Sequence, residues 1–269
     1  MRFWGVRGSI ACPGEKTVRY GGNTSCVEIR CGDRLLIFDA GTGAKPFGKE
    51  LAAAGVVDAD YFFSHTHFDH IVGIPFFLPA YIPKNRLEMW AGHLKPDHTM
   101  EQILRLAMTD PLFPVPLDAL QAQITFHDFE AGETLDPRPG IRVRTAPLNH
   151  PNGATGYRVE YDGKAVCYVT DTEHTIGTLD ANILGLIEGA DVMIYDSTYT
   201  DEEFDTYVGW GHSTWQEGVR LCQEAGVGTL AIFHHDPDHD DAAMDNIADA
   251  ARAAFPSAVV AKEGMTLKP

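Results

Sequence analysis

Positive charge is scarce in this chain: Lys and Arg together number 21 against 38 Asp and Glu, leaving a formal net charge of -17 over 269 residues. A surface of that sign disfavours gripping a long polyanion by neutralising its phosphates, although a small anion can be held where metal ions concentrate positive charge. Cysteine is sparse too. The five residues Cys12, Cys26, Cys31, Cys167 and Cys222 are odd in number and scattered, so no disulfide framework is implied and a reducing, cytoplasmic setting is expected. Cys167 reads as a small core residue inside a strand. No run of about 20 apolar residues offers a membrane span, and Met1-Arg2-Phe3-Trp4-Gly5 reaches Arg and Gly before an apolar signal region could form. No internal repeat of about 20–50 residues is visible. Gly41-Thr42-Gly43 lacks the lysine and hydroxyl spacing of a nucleotide-triphosphate loop.

What the chain does have is imidazole and carboxylate in one place. The stretch Ser64-His65-Thr66-His67-Phe68-Asp69-His70 follows the apolar run Tyr61-Phe62-Phe63, which reads as a buried strand. Residues leaving such a strand in an irregular loop can converge on one point, and neutral imidazole with carboxylate is the donor mix of open, hydrolytic zinc or manganese sites. The same arrangement recurs downstream. Strands at Ile141–Ala146, Lys164–Val169 and Leu230–Phe233 lead to His150, Asp171 and the pair His234-His235, so four strand ends deliver His or Asp. His93, His98, His127 and His174 lack ligand spacing and are expected on the surface or in loops.

With 44% hydrophobic residues the chain can bury a large core, and one domain over residues 1–269 is expected. The opening runs Arg2–Val6, Ser25–Arg30 and Leu35–Asp39 read as antiparallel strands between glycine-rich turns. A helix with Pro46 in its first turn stops at Gly55, and a second helix is expected over Ile71–Leu78. Further strands are expected at Leu87–Trp90, Ile124–Asp128, Val192–Tyr195 and Ala258–Ala261, with an Asp162-Gly163 hairpin joining Tyr157–Tyr161 to Lys164–Val169. Thr99 with Gln102 and Ser213 with Gln216 look like capping boxes, and an alanine-rich helix runs from about Asp241 to Phe255 behind the acidic run Asp236–Asp241. The proline-interrupted region around residues 93–120 is expected to act as a lid or a dimer contact. Together these elements suggest two packed sheets with helices outside.

The motifs Phe3-Trp4-Gly5-Val6-Arg7-Gly8, Asn23-Thr24-Ser25, Phe38-Asp39-Ala40-Gly41-Thr42-Gly43, the His-x-His-x-Asp-His stretch, Gly211-His212-Ser213-Thr214 and Phe233-His234 span nearly the whole chain. In them the sequence resembles metallo-β-lactamase-fold hydrolases of the phosphodiesterase branch, which includes ribonuclease Z and cyclic-nucleotide phosphodiesterases, among them viral enzymes that degrade cyclic nucleotide defence signals. The resemblance implies an α/β, four-layer αββα sandwich. It assigns His65, His67 and His150 to one metal ion, Asp69, His70 and His234 to a second, and Asp171 to both, with zinc the first expectation and manganese the second. It selects His234 over His235, which the residues alone leave open. Asp69 and His212 are the catalytic side chains it implies, His212 protonating the leaving oxygen, and Asp196 is a candidate to orient that histidine.

Ribonuclease Z enzymes hold tRNA with an arm between the third histidine and the bridging aspartate, whereas here His150 to Asp171 is filled by one hairpin. With the acidic composition, this points to a small phosphodiester, a 3′,5′-cyclic mononucleotide first, attacked by a metal-bridged hydroxide. Tyr199, Phe204 and Trp210 are candidates to stack on its base. A homodimer is expected, with no long nucleic acid and no membrane as partner. Competing readings are a thioesterase resembling glyoxalase II or another small-phosphodiester hydrolase, a non-catalytic or di-iron redox metal-binding module, and a nuclease acting on longer RNA.

Overall fold

Period-two alternation of apolar residues builds two sheets and decides which side of each strand faces the other sheet. The computed structural model describes residues 1–269. In the first sheet, β1 (Arg2–Gly5), β2 (Cys26–Cys31) and β3 (Arg34–Phe38) pair antiparallel. Helix α1 (Ala44–Ala54) then crosses to β4 (Asp58–Phe63), parallel to β3, and the short helix α2 (Phe68–Ile71) follows. Strand β5 (Arg86–Ala91), helix α3 (Met100–Ala107) and strand β6 (Gln123–Asp128) complete this half, giving the order β1-β2-β3-β4-β5-β6.

The second sheet opens with the antiparallel strands β7 (Thr134–Arg138), β8 (Ile141–Leu148), β9 (Ala154–Tyr161) and β10 (Lys164–Val169). Helix α4 (Ala181–Ile187), strand β11 (Val192–Asp196), helices α5 (Asp201–Phe204) and α6 (Trp215–Ala225), strand β12 (Thr229–Phe233), helix α7 (Asp241–Ala254) and strand β13 (Ala258–Val260) follow, with β10 to β13 parallel. On β3, Leu36 and Phe38 join Phe62 of β4 and Tyr157, Tyr168 and Ile194 of the second sheet in the middle core. Leu35 and Ile37 instead pack with Phe47 and Leu51 of α1, and Met193 and Tyr195 pack with residues of α4, α6 and α7. Helix, sheet, sheet, helix is therefore the layer order, as expected for a metallo-β-lactamase fold. No helix is long and apolar enough to cross a membrane.

Parallel strands put their carboxyl ends at one edge, where open α/β sheets place their sites. Here β3, β4, β10, β11 and β12 all end at Asp39, Ser64, Thr170, Asp196 and His234 or the residue before, on one rim.

Several elements differ from expectation. The helix expected over Ile71–Leu78 is broken into 3-10 turns at Ile74–Phe76 and Leu78–Tyr81, because Pro75 and Pro79 each remove a backbone donor and Gly73 bonds to the Ala40 carbonyl instead. The capping box at Ser213 is displaced by one residue. Thr214 caps α6 by accepting the Glu217 N–H, while the Ser213 hydroxyl meets Tyr195 Oη at 2.9 Å and His174 Nδ1 at 2.8 Å. Strand β7 escaped detection because it carries Pro137, which is tolerated there since β7 is an edge strand with a register shift. The Thr99–Gln102 box, the Asp162-Gly163 hairpin turn and the capping of α7 by Asp240 are present.

Candidate metal centre

Backbone conformation turns the strand ends inward. Asp39, Asp171 and His234 each follow a strand with positive φ, at 56°, 58° and 61°, a region that β-carbons disfavour and that persists where surrounding structure enforces it. His65 and His67 leave β4 irregularly, as expected. Asp69 and His70 do not: they lie on the single turn of α2, which starts just after His67 and brings both side chains to the rim.

The side chains form two groups around one carboxylate. His65, His67 and His150 present donor atoms to one another, with His150 Nε2 3.2 Å from His67 Nδ1. Asp69, His70 and His234 form the second group with Asp171, His70 Nε2 lying 3.1 Å and His234 Nε2 3.4 Å from Asp69 Oδ2. Asp171 stands between them. Its Oδ1 is 3.7 Å from His65 Nε2 and 3.9 Å from His150 Nε2, while its Oδ2 is 3.2 Å from His70 Nε2 and 3.3 Å from His234 Nε2.

Four of the five rings are held by the far nitrogen. His70 Nδ1 is 2.8 Å from Asp39 Oδ2, His65 Nδ1 3.1 Å from Ser64 Oγ, and His234 Nδ1 3.1 Å from Thr198 Oγ1. The His150 Nδ1–H donates to the Gly211 carbonyl at 2.7 Å. This leaves the Nε2 atoms of His65, His70 and His234 buried without a hydrogen-bond partner, all pointing into the cluster. Orphaned buried donors on three rings, facing carboxylates, fit divalent cations of the zinc or manganese type. The charge agrees. Burial lowers the pKa of His65, His67 and His150, favouring the neutral imidazole a ligand must be. Burial pushes the Asp171 carboxyl up, but His234, His70 and His65 outweigh it and hold the pKa well below the usual range. His70 is raised against its own burial by Asp171, Asp69 and Asp39, and the negative potential that favours a proton there favours a cation equally.

His212 sits beside this cluster on the loop before α6. Its Nδ1 is 3.0 Å from Asp196 Oδ2, and although burial alone would lower its pKa, the Asp196 carboxylate raises it to about 9. A cavity of about 380 Å³ opens over the group, lined by Ser9, Thr66, Phe68, Trp210 and His212 as well as His67, Asp69, His150 and Asp171. Of the aromatics expected at the pocket, only Trp210 borders it. Tyr199 and Phe204 are buried, Tyr199 stacked on Tyr207 and Phe204 on His174, while the exposed Phe68 joins the lining unforeseen.

The other histidines divide. His98 is exposed, and His127 stacks on Trp90 and pairs with Glu88 at 2.7 Å. His93 and His174 lie in loops, as expected, but not on the open surface: His174 is buried, and His93 packs against the cluster with its Nε2 3.2 Å from Thr66 Oγ1. His235 turns away from the cluster and meets the Ala261 carbonyl at 2.8 Å. The partners Asp39, Ser64 and Thr198 were not singled out from sequence. Asp39 carried one available signal, a carboxylate directly after a buried strand, the same placement as Asp171 and Asp196.

Comparison with known proteins identifies the family and the fold. Residues 34–235 match the family described as the beta-lactamase superfamily domain. The ribonuclease Z of Myxococcus xanthus (strain DK1622) is similar at 24% identity over 265 residues, covering 81% of this chain and 83% of that one. Among solved structures, the metallo-beta-lactamase fold protein YhfI from Bacillus subtilis superposes with a TM-score of 0.72 at 20% identity, covering 98% of this chain and 96% of that one. A diphosphatase of the PhnP family gives a TM-score of 0.70 at 16% identity, covering 100% and 96%.

Proposed function

The chain belongs to the beta-lactamase superfamily, and from that premise we propose that it is a phosphodiesterase holding two divalent cations, zinc before manganese, that hydrolyses a small phosphodiester of the 3′,5′-cyclic mononucleotide kind. The observation that carries this reading is the division of the two Asp171 oxygens between two imidazole groups. His65, His67 and His150 would hold one cation and Asp69, His70 and His234 the other, with Asp171 serving both. Cations so held supply charge to a phosphoryl group and make a nucleophile of water, chemistry suited to in-line displacement at phosphorus.

The protein's own contribution is orientation and a proton. The Nδ1–H of His212 is engaged by Asp196, so its Nε2 is the atom that delivers a proton to the departing O3′ as the P–O3′ bond breaks and a P–O bond to water forms. The cavity supports a small substrate, because its volume of about 380 Å³ lies near the lower end of the roughly 300–1,000 Å³ common for small-molecule sites. Trp210 offers the base a flat wall. The interval from His150 to Asp171 contains only β9 and β10, with no protruding arm to hold a long RNA. The names ribonuclease Z and diphosphatase among similar proteins support a phosphate linkage as the target. We place the protein in the cytoplasm, in keeping with five free cysteines, and as a homodimer through the exposed apolar residues Phe76, Leu106 and Leu112.

The test is turnover of a panel of 3′,5′- and 2′,3′-cyclic nucleotides, linear dinucleotides, a tRNA precursor, bis(p-nitrophenyl) phosphate and a thioester, with zinc or manganese supplied. Hydrolysis of a 3′,5′-cyclic nucleotide to the 5′-nucleotide is expected. Silence on every cyclic nucleotide sinks the substrate, and thioester cleavage without phosphodiester cleavage sinks the reaction class.

A further inference from the structure

One carboxylate outside the cation cluster ties several parts of the site together. Glu173 lies two residues beyond Asp171, and its Oε2 accepts the N–H of Gly209 at 2.7 Å and of Gly211 at 2.8 Å. Its own backbone is fastened to Asn149, whose carbonyl accepts the Glu173 N–H at 2.8 Å and whose Nδ2 donates to the Glu173 carbonyl at 2.8 Å. Asn149 immediately precedes His150. The chain leaving β8, the chain leaving β10 and the loop before α6 are thus joined at one residue, the first two through its backbone and the loop through its carboxylate.

The loop is shaped to receive that anion. Gly209 and Gly211 have φ of 92° and 85°, conformations that glycine adopts freely and other residues rarely do, and they turn both N–H groups to a single oxygen as backbone nests do for bound anions. Between them stands Trp210, 63% exposed and bordering the cavity, its ring set edge-on to Tyr207 with centroids 5.5 Å apart. Immediately after it, the Gly211 carbonyl receives His150 Nδ1. A carbonyl can only accept, so Nδ1 carries the proton and Nε2 presents its lone pair to the cluster. A Cβ on Gly211 would overlap the His150 ring and Pro151, which shows how closely this backbone abuts the histidine.

We propose that Glu173 is a positioning residue that, through this one loop, sets both the aim and tautomer of His150 toward a divalent cation and the placement of Trp210 as a wall of the substrate cavity. Without the carboxylate, the two N–H groups flanking Trp210 lose their common acceptor, and the carbonyl that orients His150 is carried on the same freed segment. The proposal rests on His150 as a cation ligand and is independent of which phosphodiester is the substrate.

The experiment compares the wild type with E173A and E173Q by two readouts. One is zinc affinity, from competition with a chromophoric chelator. The other is acrylamide quenching of Trp210 emission, taken as the difference from a matching W210F protein because Trp4, Trp90 and Trp215 also emit. E173A is expected to weaken one of the two zinc equivalents by about tenfold and to make Trp210 more quenchable. E173Q, keeping a single accepting oxygen, is expected to fall between. Wild-type zinc affinity in E173A overturns the proposal, and so does a weakened zinc equivalent with unchanged Trp210 quenching, since the loop would then not couple the two. If circular dichroism shows E173A unfolded, E173Q is judged by the same criteria. Both readouts shifting in a protein that hydrolyses no cyclic nucleotide would uphold Glu173 and remove only the substrate.

Discussion

At His212, two opposing effects meet on one ring. Burial disfavours the imidazolium, while the Asp196 carboxylate 3.0 Å away favours it and wins, raising the pKa to about 9. Divalent cations on the neighbouring Asp171 would pull that figure down, so the alkaline limb of the rate profile should fall at about 9 or below. The sign follows from the role: an acid with a raised pKa is charged below it and lost as pH climbs through it. Asp196→Asn should move this limb to lower pH and slow turnover near neutrality, measured as kcat against pH; a limb that stays in place removes Asp196 from the mechanism. His212→Ala should lower kcat by roughly 10²–10⁴-fold with full metal content, and unchanged turnover would remove the acid itself. Cys167 needs no such role, since it is fully buried in the outer core beneath α4 and α6, as a strand-borne core residue should be.

Among the elements, α2 is the one that carries two of the clustered side chains, Asp69 and His70. It is held to the end of β3 by two backbone bonds, Ala40 N–H to the His70 carbonyl and Gly73 N–H to the Ala40 carbonyl, both 2.7 Å. Gly73 is packed against the Gly41 and Ala40 carbonyls, where a Cβ would overlap. Gly73→Ala should therefore force α2 away from β3, costing about 1–3 kcal/mol in a denaturant titration and weakening cation binding by Asp69 and His70. A wild-type midpoint together with wild-type metal affinity would falsify this account. The same contact explains why the region was misread from sequence. Ile71, Val72, Ile74 and Phe77 carry a helix-like apolar period, but Pro75 and Pro79 break the ladder, and the tight approach of Gly73 to β3 is invisible in a local pattern.

At the scale of the whole molecule, the site is a seam between two sheets, and a cation held there would join residues from both. Ligands that bind only the folded state stabilise it by about 4 kcal/mol at a thousandfold excess over Kd, so stripping metal with a chelator should lower the melting temperature and zinc or manganese should restore it. A melting temperature indifferent to chelation would mean that the cluster holds no cation. What the sequence alone determined was the kind of chemistry and the main layers, because the donors are crowded into Ser64–His70 and set directly after apolar strands at His150, Asp171 and His234. The hairpin turn at Asp162-Gly163 and the box at Thr99–Gln102 were legible for the same reason, since turn and cap chemistry is local. Only the tertiary structure decided how the donors are grouped, with one Asp171 oxygen on each side. It alone turned His235 away, buried Tyr199 and Phe204 while leaving Trp210 at the cavity, and brought Asp39, Thr198 and Glu173 behind the clustered histidines. Those contacts join residues far apart in the chain, and they depend on positive-φ turns at Asp39, Asp171 and His234 that no local propensity announces.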